Sequence, residues 1–269
     1  MRRMISVNDE NARFASEQLA NGCESMERFL NGLLDSKGRV AEEVHAIRKL
    51  GKSLRGGFSL FRLKDSAKEI QAIGRLLSGP RDAVSRLSTW GKLGWDEDAA
   101  SAAAILGLLD QQTHSAARRP PPETIAWCVE RVTTARKSLL ELPPETLAER
   151  LTTGAGKLRK QVTKRCKKLD RNGEEDFHDA RKALKAYLGA LGFLPEGSFV
   201  LDPNMSDLAE ILGDENDLAT LSFWLEEHGF TTHFVPGLWV QLGKSRHKLR
   251  KKAIRDAAKL EPAKAPPES

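Results

Sequence analysis

Two stretches of this sequence set cations at helical spacing. In Val44 to Arg62, VHAIRKLGKSLRGGFSLFR, a helical step of about 100° per residue gathers His45, Arg48, Lys49, Lys52 and Arg55 on one side. Ile47, Leu50, Leu54, Phe58 and Phe61 fall opposite. No carboxylate interrupts the cationic side, so its chemistry is that of an anion receptor. Arg forks grip pairs of oxygens, and Lys acts as a mobile point charge. The pattern recurs 133 positions later in Phe177 to Pro195, FHDARKALKAYLGALGFLP. The identities are His45/His178, Arg48/Arg181, Lys49/Lys182, Lys52/Lys185 and Gly56/Gly189, and all five map to the cationic side. Opposite them, Ala180, Ala183, Tyr187, Leu191 and Leu194 keep only the apolar character. A repeat kept for packing alone would preserve hydrophobicity and let the polar side drift. Here the identities lie with the cations, which predicts one ligand shared by both copies.

Two further segments concentrate charge. Lys157 to Arg171 holds eight Lys/Arg and one acid, and Lys244 to Arg255 holds seven and none. Together they carry +14 of a chain whose net charge is +6, so the remainder is acidic, and such clustering fits a polyanionic partner. Lys157, Lys160, Lys164, Lys168 and Arg171 form one stripe, with Leu158, Val162 and Leu169 turned away. Lys244, Lys248, Lys251 and Arg255 form another, with Leu249, Ala253 and Ala257 elsewhere.

Other chemistries find less support. Cys23, Cys128 and Cys166 are widely spaced without a CxxC, which reads as free thiols in a reducing cytoplasm. The N-terminus has no signal-peptide run, and no stretch reaches the roughly 18 apolar residues of a membrane span. There is no HExxH, no carboxylate pair beside the histidines and no nucleophile with an evident base, so neither metal, cofactor nor catalytic residue is assigned. His114, His228, His233 and His247 read as structural. His45 and His178 share a register, and amid cations both are expected neutral near pH 7, donating hydrogen bonds to phosphate. Single-strand readers of nucleic acid interleave aromatics with their charges, and these faces have none. Duplex binding through the phosphate backbone stays as the alternative.

Several elements must position these faces. At 40% hydrophobic and 30% charged residues, the chain reads as a globular, helix-rich protein. Helices are predicted over 8–34, over 39–63 after a break at Ser36 to Gly38, and over 66–77 with Ser66 as N-cap and Glu69 completing a capping box. Ser78-Gly79-Pro80 reads as a turn, followed by helices over 81–90 and 97–118. Prolines at 120–122 and 143–144 open two more, the second breaking at Gly154 to Gly156 before a basic helix over 157–169. After a turn at Arg171 to Gly173, the second signature helix starts near Glu174. Residues 207–212, 217–228 and 244–260 are helical, 230–241 is ambiguous, and 261–269 reads as a flexible tail. Gly79/Gly213, Leu87/Leu221, Ser88/Ser222 and Trp90/Trp224 extend the repeat at an offset of 134. Asp82 and Asp217 read chiefly as helix caps, and Trp90 and Trp224 as core. The fold class is all-α: one domain over 5–260 made of two halves, roughly 5–172 and 173–260.

The order V-H-x-x-R-K-x-x-K-x-L-R, R-L-L-S-G-P-R-D, H-x-x-R-K-x-x-K and L-G-D-x-N-D resembles the CHAD domain, the conserved-histidine α-helical domain, from about Ile5 to Leu260. The resemblance implies two pseudo-symmetric antiparallel helical bundles facing a central basic cleft that binds inorganic polyphosphate without turning it over. His45, Arg48, Lys49, Lys52 and Arg55 would line it from one side, with Arg81 from the turn. His178, Arg181, Lys182 and Lys185 would line the other, and the two basic stripes would extend it. Leu188 stands where Arg55 would recur, and the first G-x-x-R-D turn is one residue short. The domain often follows a CYTH-type triphosphate-tunnel domain. None is seen in this sequence, so that neighbour's activity is expected to be absent. A cytoplasmic location, with polyphosphate granules as a place of association, completes the expectation.

Overall fold

The apolar side of the first signature segment is buried as its spacing requires, and the other helices gather round it. The structure, a computed structural model, describes residues 8–35, 40–116, 119–169, 173–198 and 202–260, without the side chains of Pro80, Arg81 and Ala116. Its helices are α1 (Asp9–Asp35), α2 (Val40–Leu60), α3 (Lys64–Leu76), α4 (Ser78–Leu93), α5 (Ala99–Ala116) and α6 (Pro122–Leu140). After a 3-10 turn (Pro144–Thr146) come α7 (Leu147–Cys166), α8 (Glu174–Leu191), α9 (Pro203–Glu227) and α10 (Pro236–Ala257). The fold is all-α, with no strand among the described residues. None of the described helices is long and apolar enough to cross a membrane. The break at Ser36 to Gly38, residues 171–172 of the turn and the tail 261–269 lie outside the described residues.

Two apolar clusters hold the helices. The larger joins α1, α2, α3, α6, α7, α8 and the first half of α9, with Ile47, Leu54, Phe58 and Phe61 fully buried at its centre. Each such side chain contributes about 1.5–3 kcal/mol by leaving water. The smaller joins Trp90 and Trp95 to Ile105 and Leu109 of α5, Leu221 and Trp224 of α9, and Leu238 and Leu242 of α10. Trp90 and Trp224 are core, as their spacing predicts.

Several boundaries differ from the sequence reading, each for a tertiary reason. α7 runs unbroken through Gly154 to Gly156, because Gly154 lies against the end of α2. A Cβ there would stand 1.9 Å from the Leu60 carbonyl oxygen. α9 is one helix of 25 residues, not two, with Gly213 in its interior. α4 begins at Ser78, so Pro80 sits in its first turn, where a missing N–H leaves no bond unmade. α3 starts at Lys64 without a side-chain cap; Ser66 is buried, and Glu69 pairs with Arg131 of α6. α2 stops at Leu60 because the chain turns back on itself, with Leu63 N–H donating to the Phe58 carbonyl and Arg62 at φ 60°.

The most extensive helix pair is α2 with α8. It closes on glycine. A Cβ on Gly56 would stand 2.3 Å from the Ala186 carbonyl oxygen and 2.7 Å from the Ala190 nitrogen. A Cβ on Gly189 would stand 2.9 Å from Ser53 Cα. Gly56→Ala should therefore lower stability by about 1–3 kcal/mol through overpacking, in spite of alanine's better helix propensity. Gly74→Ala, in α3 with open space around it, should raise stability by about 0.5–1 kcal/mol. Urea denaturation of the two variants beside the parent measures both.

Candidate functional site

The crossing of α2 and α8 decides where their cations go. Around the α2 axis, Gly56 falls within the arc that holds His45, Lys49 and Lys52, and around α8, Gly189 falls among His178, Lys182 and Lys185. These two glycines belong to the packing contact and not to a ligand face, which corrects their assignment from sequence. Each cationic stripe thus runs along its helix into the backbone of the other. His45, Lys49, His178 and Lys182 are exposed, while Arg48, Lys52, Arg55, Arg181 and Lys185 are half-buried.

Each stripe has a flanking helix. Beside α2, Arg48 donates from Nη1 to the Leu77 carbonyl (3.3 Å) and from Nη2 to Asp82 Oδ1 of α4 (3.4 Å). Beside α8, His178 Nδ1 lies 3.0 Å from Asn216 Oδ1 of α9, and a Cβ on Gly213 would stand 3.9 Å from Lys185 Nζ. Asp82 and Asp217 lie inside α4 and α9, so neither is a cap. Asp82 instead holds a guanidinium, because the tertiary partner outcompetes the local role. Arg81 belongs to the first turn of α4, and its side chain is outside the described residues.

Burial lowers the Arg55 pKa, and the nearby positive charge of Arg75 on the last turn of α3 lowers it further. Neither guanidinium has a carboxylate within ion-pair distance among the described residues. Arg75 was missed by spacing arguments because it belongs to another helix. Its signal was its place in the Arg75-Leu76-Leu77-Ser78-Gly79-Pro80 run.

α7 packs on both α2 and α8. Lys157, Lys160 and Lys164 stand exposed along it with Lys168 just beyond, while Leu158, Val162 and Cys166 are buried. Its arginines turn inward: Arg165 pairs with Asp179 at 2.9 Å, and Arg159 hydrogen-bonds Tyr187. Lys244, Lys248 and Lys251 of α10 are also exposed, and none of these seven lysines forms an ion pair with a described residue. Arg255 is partly neutralised by Asp256 at 3.3 Å. Two arginines of the same segment are structural. Arg246 and Arg250 converge on Glu215, whose side chain is 4% exposed, and both reach Glu174 at the start of α8. Arg250 also lies over the Phe177 ring, 5.0 Å from its centroid.

The remaining chemistry is sparse. Burial pushes the Cys23 thiol up to about 12 and those of Cys128 and Cys166 up to about 11, so all three are protonated and poor nucleophiles. Among the described residues no group of three or more His, Cys, Asp or Glu is arranged to hold a metal ion. What the arrangement can do is hold an anion.

The buried ion cluster yields a stability test. Glu215→Gln removes a deeply buried charge opposing Arg246 and Arg250, and should cost about 3 kcal/mol in urea denaturation. Glu174, held below its ordinary 4.5 first by the Arg246 hydrogen bond, adds stability that is complete above that value. This is lost as pH falls through the lower value it takes in the fold.

Comparison with known proteins follows the same lines. The sequence model of the CHAD domain family matches residues 18–226. No curated protein sequence matches. The CHAD domain from the plant Ricinus communis has a TM-score of 0.65 and 17% identity, covering 97% of this chain and 95% of its own. PptA from Streptomyces chartreusis has a TM-score of 0.65 and 14% identity, covering 93% and 99%. At these identities the structural likeness is one of fold. The chain belongs to the CHAD domain family.

Proposed function

We propose that this CHAD-domain chain binds inorganic polyphosphate, without hydrolysing it, in a basic cleft between the cationic faces of α2 and α8. The reading rests on one observation: α2 and α8 make the most extensive contact in the fold, and the glycines at which they cross lie within the arcs that carry their cations. Packing cations toward cations raises repulsion unless an anion fills the angle between them. His45, Lys49, Lys52 and Arg55 would act from α2, and His178, Arg181, Lys182 and Lys185 from α8. Arg48, tied to Asp82, would present a fixed guanidinium edge.

The lysines of α7 lie next to this angle because α7 packs on both helices. Those of α10, with Arg255, would extend the path across α9, on which α10 packs. Arg75 joins the set beside Arg55. A linear polyphosphate carries repeated charge and no sequence, which suits rows of lysine better than a shaped pocket. The reciprocal contact of Gly56 with residue 186 and of Gly189 with residue 53 supports two halves related by the 133-residue repeat. An intracellular setting, including association with polyphosphate granules, follows from the ligand.

Titration against long-chain polyphosphate and duplex DNA across salt tests the reading. Polyphosphate affinity should rise with chain length, exceed that for DNA at matched charge, and fall steeply with salt. Equal affinity at physiological salt would favour the nucleic-acid alternative. Lys49→Glu with Lys182→Glu, both at exposed positions, should weaken polyphosphate binding by more than about 100-fold at low salt with the fold intact. Reversing Lys92 and Lys137 instead should cost less than about tenfold. Incubated with polyphosphate or triphosphate, with or without divalent metal, the protein should release no phosphate. Turnover abolished by His45→Ala would overturn the binding-only account.

A further inference from the structure

His178 Nδ1 lies 3.0 Å from the side-chain oxygen of Asn216, and Nε2 has no hydrogen bond to a described residue. An amide oxygen can only accept, so the proton of the neutral ring belongs on Nδ1. Nε2 then carries a lone pair, and a lone pair repels a phosphate oxygen. Sequence alone suggested a neutral histidine donating to phosphate. The Asn216 contact points to a different role, in which the N–H of the neutral ring is taken by the amide oxygen.

We infer that Asn216 is a positioning residue that locks His178 as the Nδ1–H tautomer, so that His178 contacts a polyanion only after taking up a proton at Nε2. The inference rests on the reading of α8 as a polyanion-binding face. The balance is simple: one proton leaves solvent, Nε2 becomes a charged donor, and a phosphate oxygen accepts from it. Asn216 is oriented by α9, whose continuous backbone carries it past the start of α8. The charges around the ring come from every packed element. Glu174, Arg181 and Lys182 flank it on α8, and Asp214 and Asp217 flank Asn216 on α9. Arg165 of α7 is engaged by Asp179, Arg246 and Arg250 of α10 hold Glu174, and α2 contributes its cationic face. None of the described groups hydrogen-bonds Nε2.

His114 serves as an internal comparison. Its Nδ1 lies 2.8 Å from the Asp110 backbone carbonyl in α5 and 3.5 Å from the Asp110 carboxylate, so an Nδ1–H is called for there too, without a cationic face beside it. His228 differs again, with Nδ1 on the Trp224 carbonyl and Nε2 on Gln112, leaving no ring nitrogen for a ligand.

The test combines nitrogen NMR of the full chain with calorimetry. At pH 8 the His178 ring, assigned with His178→Gln, should show the Nδ1–H tautomer. Titration with long-chain polyphosphate at pH 7.5, in two buffers of different ionisation heat, should show proton uptake that falls by up to one equivalent in His178→Gln and in Asn216→Leu. Kd should weaken about three- to tenfold more between pH 6 and pH 8 in the parent than in either variant. Asn216→Asp, which keeps the acceptor and adds charge, should tighten binding at pH 8. An Nε2–H tautomer in the parent would overturn the inference, as would proton uptake and pH dependence unchanged in Asn216→Leu, or no tightening in Asn216→Asp. Absence of polyphosphate binding at every pH would overturn the reading of the site itself, and the NMR result would then judge the tautomer alone.

Discussion

Everything in this molecule depends on bringing the cationic faces of two helices into close contact. Like-charged faces repel, yet α2 and α8 form the most extensive pair in the fold. The contact is possible because its innermost positions carry no side chain at all. Gly56 and Gly189 let backbone meet backbone, while apolar residues on the outer flanks supply the attraction. Dispersion and burial are local and strong there, whereas the repulsion is spread over longer distances and weakened by water. Packing of backbone and apolar side chains holds the two helices together.

Acidic residues are spent selectively. Glu215 and Glu174 neutralise Arg246 and Arg250, Asp179 takes Arg165, and Asp82 takes Arg48. Each of these pairs ties one helix to another. The exposed lysines of α7 and α10 receive no such partner among the described residues. Arginine, with its planar fork, does the bracing, and lysine, mobile and hydrated, keeps the free charge. Within a single basic segment the two residue types therefore do different work.

Much of this was legible in the sequence, and what was not has a common cause. Ile47, Leu54 and Phe58 announce a buried face by spacing alone, and Pro122 and Pro144 announce helix starts. The cationic stripes follow from the same periodicity. Glycine is where the reading fails, because a missing side chain says nothing about which neighbour required its absence. Gly154 reads as a breaker and proves to be a contact; Gly56 and Gly189 read as part of a ligand face and prove to be a crossing. Partners distant in sequence are equally silent. Arg246 and Lys248 look alike until Glu215, 31 positions from Arg246, is folded against one of them. Asp82 looks like a cap until Arg48 arrives from another helix.

The unbroken course of α9 has a consequence for cooperativity. At about 1.5 Å per residue its 25 residues span roughly 37 Å. Met205 to Leu212 belong to the larger apolar cluster, and Leu218 to Leu225 to the smaller. Had the chain broken at Gly213, the two clusters could open and close as separate units with their own melting behaviour. A single rod embedded in both ties their fates. Neither can release its share of α9 without loosening the hydrogen-bond ladder that the other depends on, so the two cores are expected to unfold together.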